Sequence, residues 1–206
     1  MLISTFCKKT AMKNKLSRAI ARDVYFYGMN MYFVALVCPP EIDQQVLQWK
    51  LWMREKYNCV IALRSPAHIT LVPPFWMKPE LESELQQALS HYSASRDRFS
   101  IQLKDFSNFK PRVIFVNVIP GQQLVDLQKQ LFDYLLSNGQ FPLAKEDHPF
   151  HPHVTIATRD LHKKSFQEAW AYFKEKKYEA KWMAAGITLL RHNKKNWDAI
   201  AASQFK

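Results

Sequence analysis

The sequence predicts an α/β (α+β) fold in which two pseudo-symmetric lobes with antiparallel-rich sheets surround a central groove. Two observations support this prediction. First, apolar runs typical of strands alternate along the chain with segments of helical periodicity. Second, the order strand, helix, H-x-T segment, helix, strand occurs twice, with His68 37 residues after Met31 and His153 41 residues after Arg112. Sequence identity between the halves is slight, so the repeat is one of pattern.

The first half contains the elements of one lobe. The run MYFVALVCPP, starting at Met31, predicts a strand that ends at prolines, and CVIAL (59–63) predicts a short second strand. A second helix is predicted to begin at Pro79, because proline is favoured in the first turn of a helix. Residues 99–109 alternate apolar and polar side chains, as in a half-buried strand. A first helix is predicted over 41–57, where apolar residues recur at helical spacing: Ile42, Val46, Trp49, Trp52 and Met53.

The second half repeats this order. Residues 112–118 predict a strand, and 121–138 predict a helix that ends near Gly139, a favourable C-cap residue. A further helix is predicted from about 163 to 177, and a strand over 182–192. An approximate two-fold axis between such halves brings equivalent strands together at the centre. We therefore expect the two H-x-T segments to face each other across a cleft.

Composition bounds the class of protein. With 206 residues and 48% hydrophobic residues, the chain can bury one sizeable core. Four glycines are too few for a glycine-rich phosphate-binding loop. Cys7, Cys38 and Cys59 are odd in number and lack CxxC spacing, so neither a disulfide framework nor a zinc site is expected. No apolar run approaches the ~20 residues that span a membrane, and a soluble, cytoplasmic protein is expected.

The net charge of +11 favours a polyanionic partner, either nucleic acid or an anionic membrane. Residues 1–28 carry six basic residues and one acidic residue, so the remaining chain keeps a net charge of +6. We expect residues 1–28 to be a flexible basic extension and 29–206 to be a single bilobal domain. The extension lacks the apolar core of a secretory signal. A transit-like peptide, a nucleic-acid-binding arm and translation from an upstream start codon remain alternatives.

The candidate catalytic residues are two H-x-T pairs. Residues i and i+2 of a strand point to one face, so His68 and Thr70 share one space and His153 and Thr155 share another. Two hydroxyls can donate to the non-bridging oxygens of a phosphodiester, where negative charge grows in the transition state. A neutral histidine can accept a proton while a protonated one donates to the leaving oxygen, since both forms are available near neutral pH. No metal or cofactor is expected.

The stretches PAHITLVPPF and FHPHVTIATRD resemble the paired H-x-T motifs of the 2H phosphoesterases, in particular the 2′-5′ RNA ligase and cyclic phosphodiesterase branch. The resemblance covers roughly residues 31–192 and implies the bilobal 2H phosphoesterase fold. It implies that His68 and His153 are the catalytic acid–base pair and that Thr70 and Thr155 bind phosphate. It leaves open which histidine is the base and which is the acid.

One position departs from the family pattern. Many relatives carry an arginine about five residues after the second motif histidine, where this chain has Thr158 followed by Arg159. By strand alternation Arg159 shares the face of His153, about 20 Å along a straight strand at ~3.3 Å per residue. Arg159 is therefore a candidate ligand for a more distant substrate phosphate. The alternative is a surface ion pair with Asp160 or another neighbour.

Three further residues are candidate substrate contacts. Phe75 and Trp76 directly follow the first motif and are candidates for stacking on a nucleobase, although Phe75 is equally suited to packing against its lobe. His151 lies in HPFHPH (148–153) and is expected to support the pocket entrance. The same stretch raises the alternative of a metal site, which the lack of a completing acid or cysteine at a familiar spacing disfavours.

The sequence therefore predicts a metal-independent phosphodiesterase that hydrolyses 2′,3′-cyclic phosphates at RNA termini or on small nucleotides. Reversible 2′-5′ RNA ligation is a second expected activity. The alternative is a nucleotide- or RNA-binding module that uses the same groove without turnover. The expected partner is an RNA terminus or a small nucleotide, with no membrane, and the expected state is a monomer.

Overall fold

The computed structural model describes residues 28–144 and 148–206, which form two four-stranded antiparallel sheets and four α-helices. The N-terminal extension, apart from Gly28, lies outside the described residues, so the division into 1–28 and 29–206 stays a prediction. None of the helices in the described part is long and apolar enough to cross a membrane.

The elements follow one another in chain order, with short 3₁₀ helices at Ile61–Arg64 and Pro79–Leu81. The strands and helices are β1 (Asn30–Val37), α1 (Pro40–Tyr57), β2 (His68–Met77), α2 (Glu82–Ala94), β3 (Phe99–Phe109), β4 (Val113–Ile119), α3 (Gln122–Ser137), β5 (His153–Ala157), α4 (Lys163–Lys174), β6 (Glu179–Ala184), β7 (Gly186–His192) and β8 (Trp197–Gln204).

The predicted fold class is confirmed, but the lobes are not the two halves of the chain. The first sheet has the order β2-β1-β7-β8 and the second the order β5-β4-β3-β6. Strand β3 of the first half thus joins the second sheet, and β7 and β8 return to complete the first sheet. Each H-x-T strand is nevertheless an edge strand of its sheet and pairs with the first strand of its own half, as the predicted pseudo-symmetry requires.

Most predicted elements occur close to their predicted boundaries. Strand β3 coincides with the predicted 99–109, and α3 ends before Gly139, whose φ of 66° fits the predicted C-cap. The strand predicted over 59–63 is wrong, because the backbone N–H groups of Val60 and Ile61 donate to the Asp160 carboxylate instead of pairing with a strand. The single strand predicted over 182–192 is two strands, β6 and β7, in different sheets. Strand β8 was not predicted.

A helix from each half of the chain packs against the sheet that carries the other half's H-x-T strand. Helix α1 lies against β5 of the second sheet, and α3 lies against β2 of the first. Two hydrogen bonds fix these crossings: the Gln128 side chain donates to the Leu71 carbonyl at 3.3 Å, and Asp160 accepts from Val60 at 2.6 Å. A single buried cluster joins apolar side chains from both sheets and all four helices. The two sheets are therefore held in one packed unit.

Candidate active site

The H-x-T residues lie at the amino ends of β2 and β5, the strands at which the two sheets approach each other. The intervening residues Ile69 and Val154 are fully buried, as are Leu71 and Ile156. The histidines and threonines are only partly buried. Alternation therefore turns each His and Thr away from the core, as the sequence predicted.

Strand register places the two pairs equivalently. In the first sheet Val37 lies opposite His68 and Ala35 opposite Thr70. In the second sheet Asn117 lies opposite His153 and Phe115 opposite Thr155. Strands β1 and β4, the first of each half, therefore hold the two motifs at matching positions.

Both histidine rings are fixed by the same hydrogen bond. Nδ1 of His68 lies 2.8 Å from the Pro66 carbonyl oxygen, and Nδ1 of His153 lies 2.7 Å from the His151 carbonyl oxygen. A carbonyl oxygen can only accept, so each Nδ1 carries the hydrogen. In the neutral form Nε2 then holds the free lone pair, and in the charged form Nε2 holds the transferable proton.

Aromatic rings form the walls beside both histidines. The Phe33 ring lies 4.8 Å from the His68 ring and contacts Trp197 edge-on at 4.6 Å. The Phe109 and Phe115 rings lie 5.2 Å and 5.0 Å from His153. These rings limit rotation of the imidazoles and exclude water from one side of each.

The surroundings favour the neutral form of both histidines, and most strongly that of His68. The pKa of His68 is lowered to about 4, mainly by burial; positive charge on Lys50 and His153 adds to this effect, and the Pro66 carbonyl and Asp43 oppose it. Burial is also the main cause that lowers the pKa of His153, with His151 adding to it and the His151 carbonyl opposing it. The two histidines are therefore not electrostatically equivalent.

The two predicted stacking residues separate across β2. Phe75 is 7% exposed and its ring packs 6.2 Å from that of Tyr32 in the core. Phe75 lies an even number of residues after Ile69 and Leu71, so it shares their buried face and packs against its lobe, the alternative given above. Its role as a substrate contact stays a prediction. Trp76 is half-buried and lies opposite Met31 of β1, farther along the strand than the motif.

His151 and Arg159 flank the second motif on opposite sides. The His151 carbonyl orients His153, and its exposed ring packs edge-on against Phe109 at 5.0 Å. Strand β5 ends at Ala157, so the alternation expected to bring Arg159 onto the face of His153 does not extend that far. Arg159 is exposed, and its carbonyl accepts a hydrogen bond from Arg112 at 3.3 Å. Asp160, its suggested ion-pair partner, instead binds the backbone of Val60.

Within residues 28–144 and 148–206, no three His, Cys, Asp or Glu side chains are grouped so that they could hold a metal ion. In the stretch HPFHPH, the His151 carbonyl instead accepts a hydrogen bond from the His153 ring, and the His151 ring packs against Phe109. What the site offers chemically is two imidazoles and two hydroxyls.

Three contributors to the site were not found from the sequence. Lys50 is 3% exposed and influences His68, although it was assigned no role in the predicted first helix. Its burial could have been predicted from its position four residues after Val46, on the apolar stripe of the helix. Phe33 looked like any strand residue, and Trp197 belongs to the strand that was not predicted.

Two H-x-T strands, each at the end of one of two antiparallel sheets, define a 2H phosphoesterase. The chain belongs to the 2′-5′ RNA ligase superfamily, whose family model matches residues 38–196. Among solved structures, the crystal structure of E. coli LigT complexed with 3′-AMP aligns with a TM-score of 0.65 and 20% identity. That alignment covers 86% of this chain and 99% of LigT.

One further solved structure shares the fold, and one curated protein is similar to part of the chain. TT0787 of Thermus thermophilus aligns with a TM-score of 0.60 and 18% identity, over 85% of this chain and 97% of that protein. A protein of Oceanobacillus iheyensis described as "Putative phosphoesterase OB1230" is 34% identical over 118 residues, 56% of this chain. The match spans 65% of the length of that relative.

Proposed function

We propose that the protein is a metal-independent phosphodiesterase that hydrolyses 2′,3′-cyclic phosphates at RNA termini or on small nucleotides. The observation that carries the proposal is the matched pair of Nδ1–H bonds to Pro66 and His151, which leaves both Nε2 atoms free for proton transfer. A binding site alone needs no pair of titratable groups held in one tautomer. E. coli LigT, which shares the fold, has been crystallised with 3′-AMP and with ATP.

The reaction follows from the four groups. One neutral histidine accepts a proton from water as the water oxygen forms a bond to phosphorus. The protonated histidine gives its proton to the 2′ or 3′ oxygen as that P–O bond breaks, which leaves a phosphomonoester. Thr70 and Thr155 donate to the non-bridging oxygens, where charge develops. A 5′-hydroxyl that attacks phosphorus in place of water, with the bond between phosphorus and the 3′ oxygen breaking and that oxygen taking the proton, yields a 2′-5′ linkage, the proposed ligase activity.

Hydrolysis of 2′,3′-cyclic nucleotides in the presence of EDTA tests this proposal. The wild type should turn over, and His68→Ala and His153→Ala should each lower kcat about 10²- to 10⁴-fold, the contribution of a positioned acid or base. His91→Ala is the matched control, because His91 is exposed on α2 outside the site. Its activity should equal that of the wild type.

Two results would contradict the proposal. Turnover that is unchanged in both site variants would exclude the two-histidine mechanism. If the wild type hydrolyses no cyclic or 2′-5′-linked substrate but binds 3′-AMP by calorimetry, the groove is a nucleotide-binding module. In that case the histidine variants have no turnover to lose.

A further inference from the structure

Lys50 is a cation in a position built for an apolar side chain. It is the third member of the buried stripe of α1, after Ile42 and Val46 and before Met53. Only 3% of its surface is exposed. Lysine is rarely buried to this extent unless it is paired. The described residues give its Nζ one hydrogen-bond acceptor, the backbone carbonyl of Ser65 at 3.0 Å.

The contacts of α1 converge on residues 65–67, which we call the His68 approach segment. Lys50 holds the carbonyl of Ser65, and Asp43 Oδ1 accepts from the backbone N–H of Ala67 at 2.6 Å. The backbone N–H of Cys38 donates to the Ala67 carbonyl at 2.9 Å. Between these anchors lies Pro66, whose carbonyl orients the His68 ring. Lys50 therefore acts on His68 through the segment that orients it.

Helix α3, the counterpart of α1 in the described second half, carries no such cation in its buried stripe. That stripe consists of leucines, and Leu131 is its third member, where α1 has Lys50. The carbonyl that orients His153 belongs to His151, an exposed residue. The pseudo-symmetry of the two motifs is thus broken at one charged residue beneath the first histidine.

One cation and one carboxylate, Lys50 and Asp43, bind the His68 approach segment and act on His68 in opposite directions. Burial lowers the pKa of Lys50 to about 8, against the opposing effects of Asp43 and Cys38, so Lys50 is mostly charged at neutral pH. Burial raises the pKa of the Cys38 thiol to about 12, which keeps the thiol neutral. Asp43 is the carboxylate that offsets Lys50 at His68, and His153 is the other cation that acts on His68.

We propose that Lys50 is a positioning residue: its buried ammonium group, bound to Ser65, fixes the segment that orients His68 and places a positive charge close to that imidazole. Lys50 does not serve as a phosphate ligand, because its ammonium group is buried and bound to Ser65. A kinetic effect of Lys50 rests on the proposed function, whereas its effect on His68 can be measured without turnover.

Titration of the two imidazoles by NMR, with His68→Ala and His153→Ala for assignment, gives that measurement. In Lys50→Met and Lys50→Gln the pKa of His68 should rise, because a nearby positive charge is removed. Lys50→Arg keeps the charge and should leave His68 close to the wild-type value. Leu131→Met is the matched control for repacking at the equivalent position of α3, and it should leave both histidines unchanged.

Comparing Lys50→Met with Lys50→Gln separates the effect of the Lys50 charge from that of its hydrogen bond to Ser65. Gln can still donate toward the Ser65 carbonyl, whereas Met cannot. Replacing a buried charge that lacks a side-chain partner by an apolar residue is commonly neutral or stabilising, so Lys50→Met should fold. An unchanged His68 pKa in both variants would overturn the proposal.

The pH profile of kcat/KM gives a second measurement. In Lys50→Gln the one limb that reports His68 should move to higher pH, and the other limb should stay in place. A uniform loss of kcat with no shift would show a structural role only, and would also overturn the proposal. Absence of turnover in the wild type would instead contradict the proposed function, while leaving the titration result interpretable.

Discussion

At the scale of single residues, the site is built from one arrangement used twice. Each imidazole has an aromatic ring on one side and a backbone carbonyl two residues earlier in the chain as its hydrogen-bond acceptor. Such restraint fixes the tautomer before any substrate arrives, so less order has to be imposed during the reaction. The threonines are placed beside the imidazoles by strand alternation, and substitution tests their role.

Replacing either motif threonine by valine should slow the reaction without unfolding the protein. Valine has nearly the same shape, so Thr70→Val and Thr155→Val remove only a hydroxyl from a partly buried strand position. Loss of one donor to a developing oxyanion typically lowers kcat about 10²- to 10³-fold. Steady-state kinetics on a 2′,3′-cyclic nucleotide would measure this.

Thr158→Val serves as the control for the threonine variants. Thr158 follows the end of β5, and its backbone carbonyl accepts a hydrogen bond from Leu161. The kcat of this variant should match that of the wild type. Motif variants that retain full kcat would show that the hydroxyls do not stabilise the transition state.

At the scale of elements, the local sequence pattern predicted the structure where a segment packs one face against a single core. The alternation predicted over 99–109 holds over 99–104, where buried Phe99, Ile101 and Leu103 face one core, and ends where the register with β4 shifts after Leu103. The short run CVIAL failed because Asp160, about 100 residues away, captures its backbone N–H groups. Strand β8 escaped prediction because WDAIAASQ has mostly small and polar residues and little alternation in burial.

The same distinction applies to the candidate site. Both H-x-T pairs were predictable, because a period of two residues fixes which side chains share a face. The role of Lys50 was not, because a lysine on a helix looks solvated until the packing of α1 against its neighbours is known. The alternation used to place Arg159 ends before that residue for a related reason, since the end of β5 is set by pairing with β4, and Arg159 as a phosphate ligand stays a prediction.

Substitution of Gly186 tests the point where the chain passes from one sheet to the other. Gly186 begins β7, and a single residue separates it from the end of β6. A Cβ at this position would overlap the backbone carbonyl oxygen of Ser203 on β8. Gly186→Ala should therefore force the strands apart and cost about 1–3 kcal/mol of stability. Denaturation with urea would measure the loss.

Gly121→Ala is the matched control for that measurement. Gly121 precedes α3 with a φ of −81°, and nothing lies within 4 Å of a Cβ built there. Its loss of stability should be clearly smaller than that of Gly186→Ala. Equal losses would show that the close approach of β7 and β8 carries no special constraint.

At the scale of the whole molecule, the depressed pKa of His68 links folding to pH. In the unfolded chain His68 binds a proton near its ordinary pKa of 6.5, whereas in the folded protein it does so only near 4. Between these values the unfolded state holds more protons, so stability falls as pH falls through this window. The contribution is complete above about pH 6.5.

Urea denaturation at pH 7 and at pH 5 would show this dependence. The wild type should lose stability between the two conditions, and His68→Asn, which cannot titrate, should lose less. Asn retains a side-chain donor that can reach toward the Pro66 carbonyl. Identical losses in both proteins would show that His68 is solvated in the native state.

The exchange of strands between the sheets also constrains how the protein is made. His68 lies on β2, yet its sheet is finished by β7 and β8, which lie more than 100 residues farther along the chain. During synthesis the ribosome has released the first motif long before Gly186–His192 and Trp197–Gln204 can dock. The sheet that carries the first motif can therefore be completed only after residues 186–204 have been synthesised.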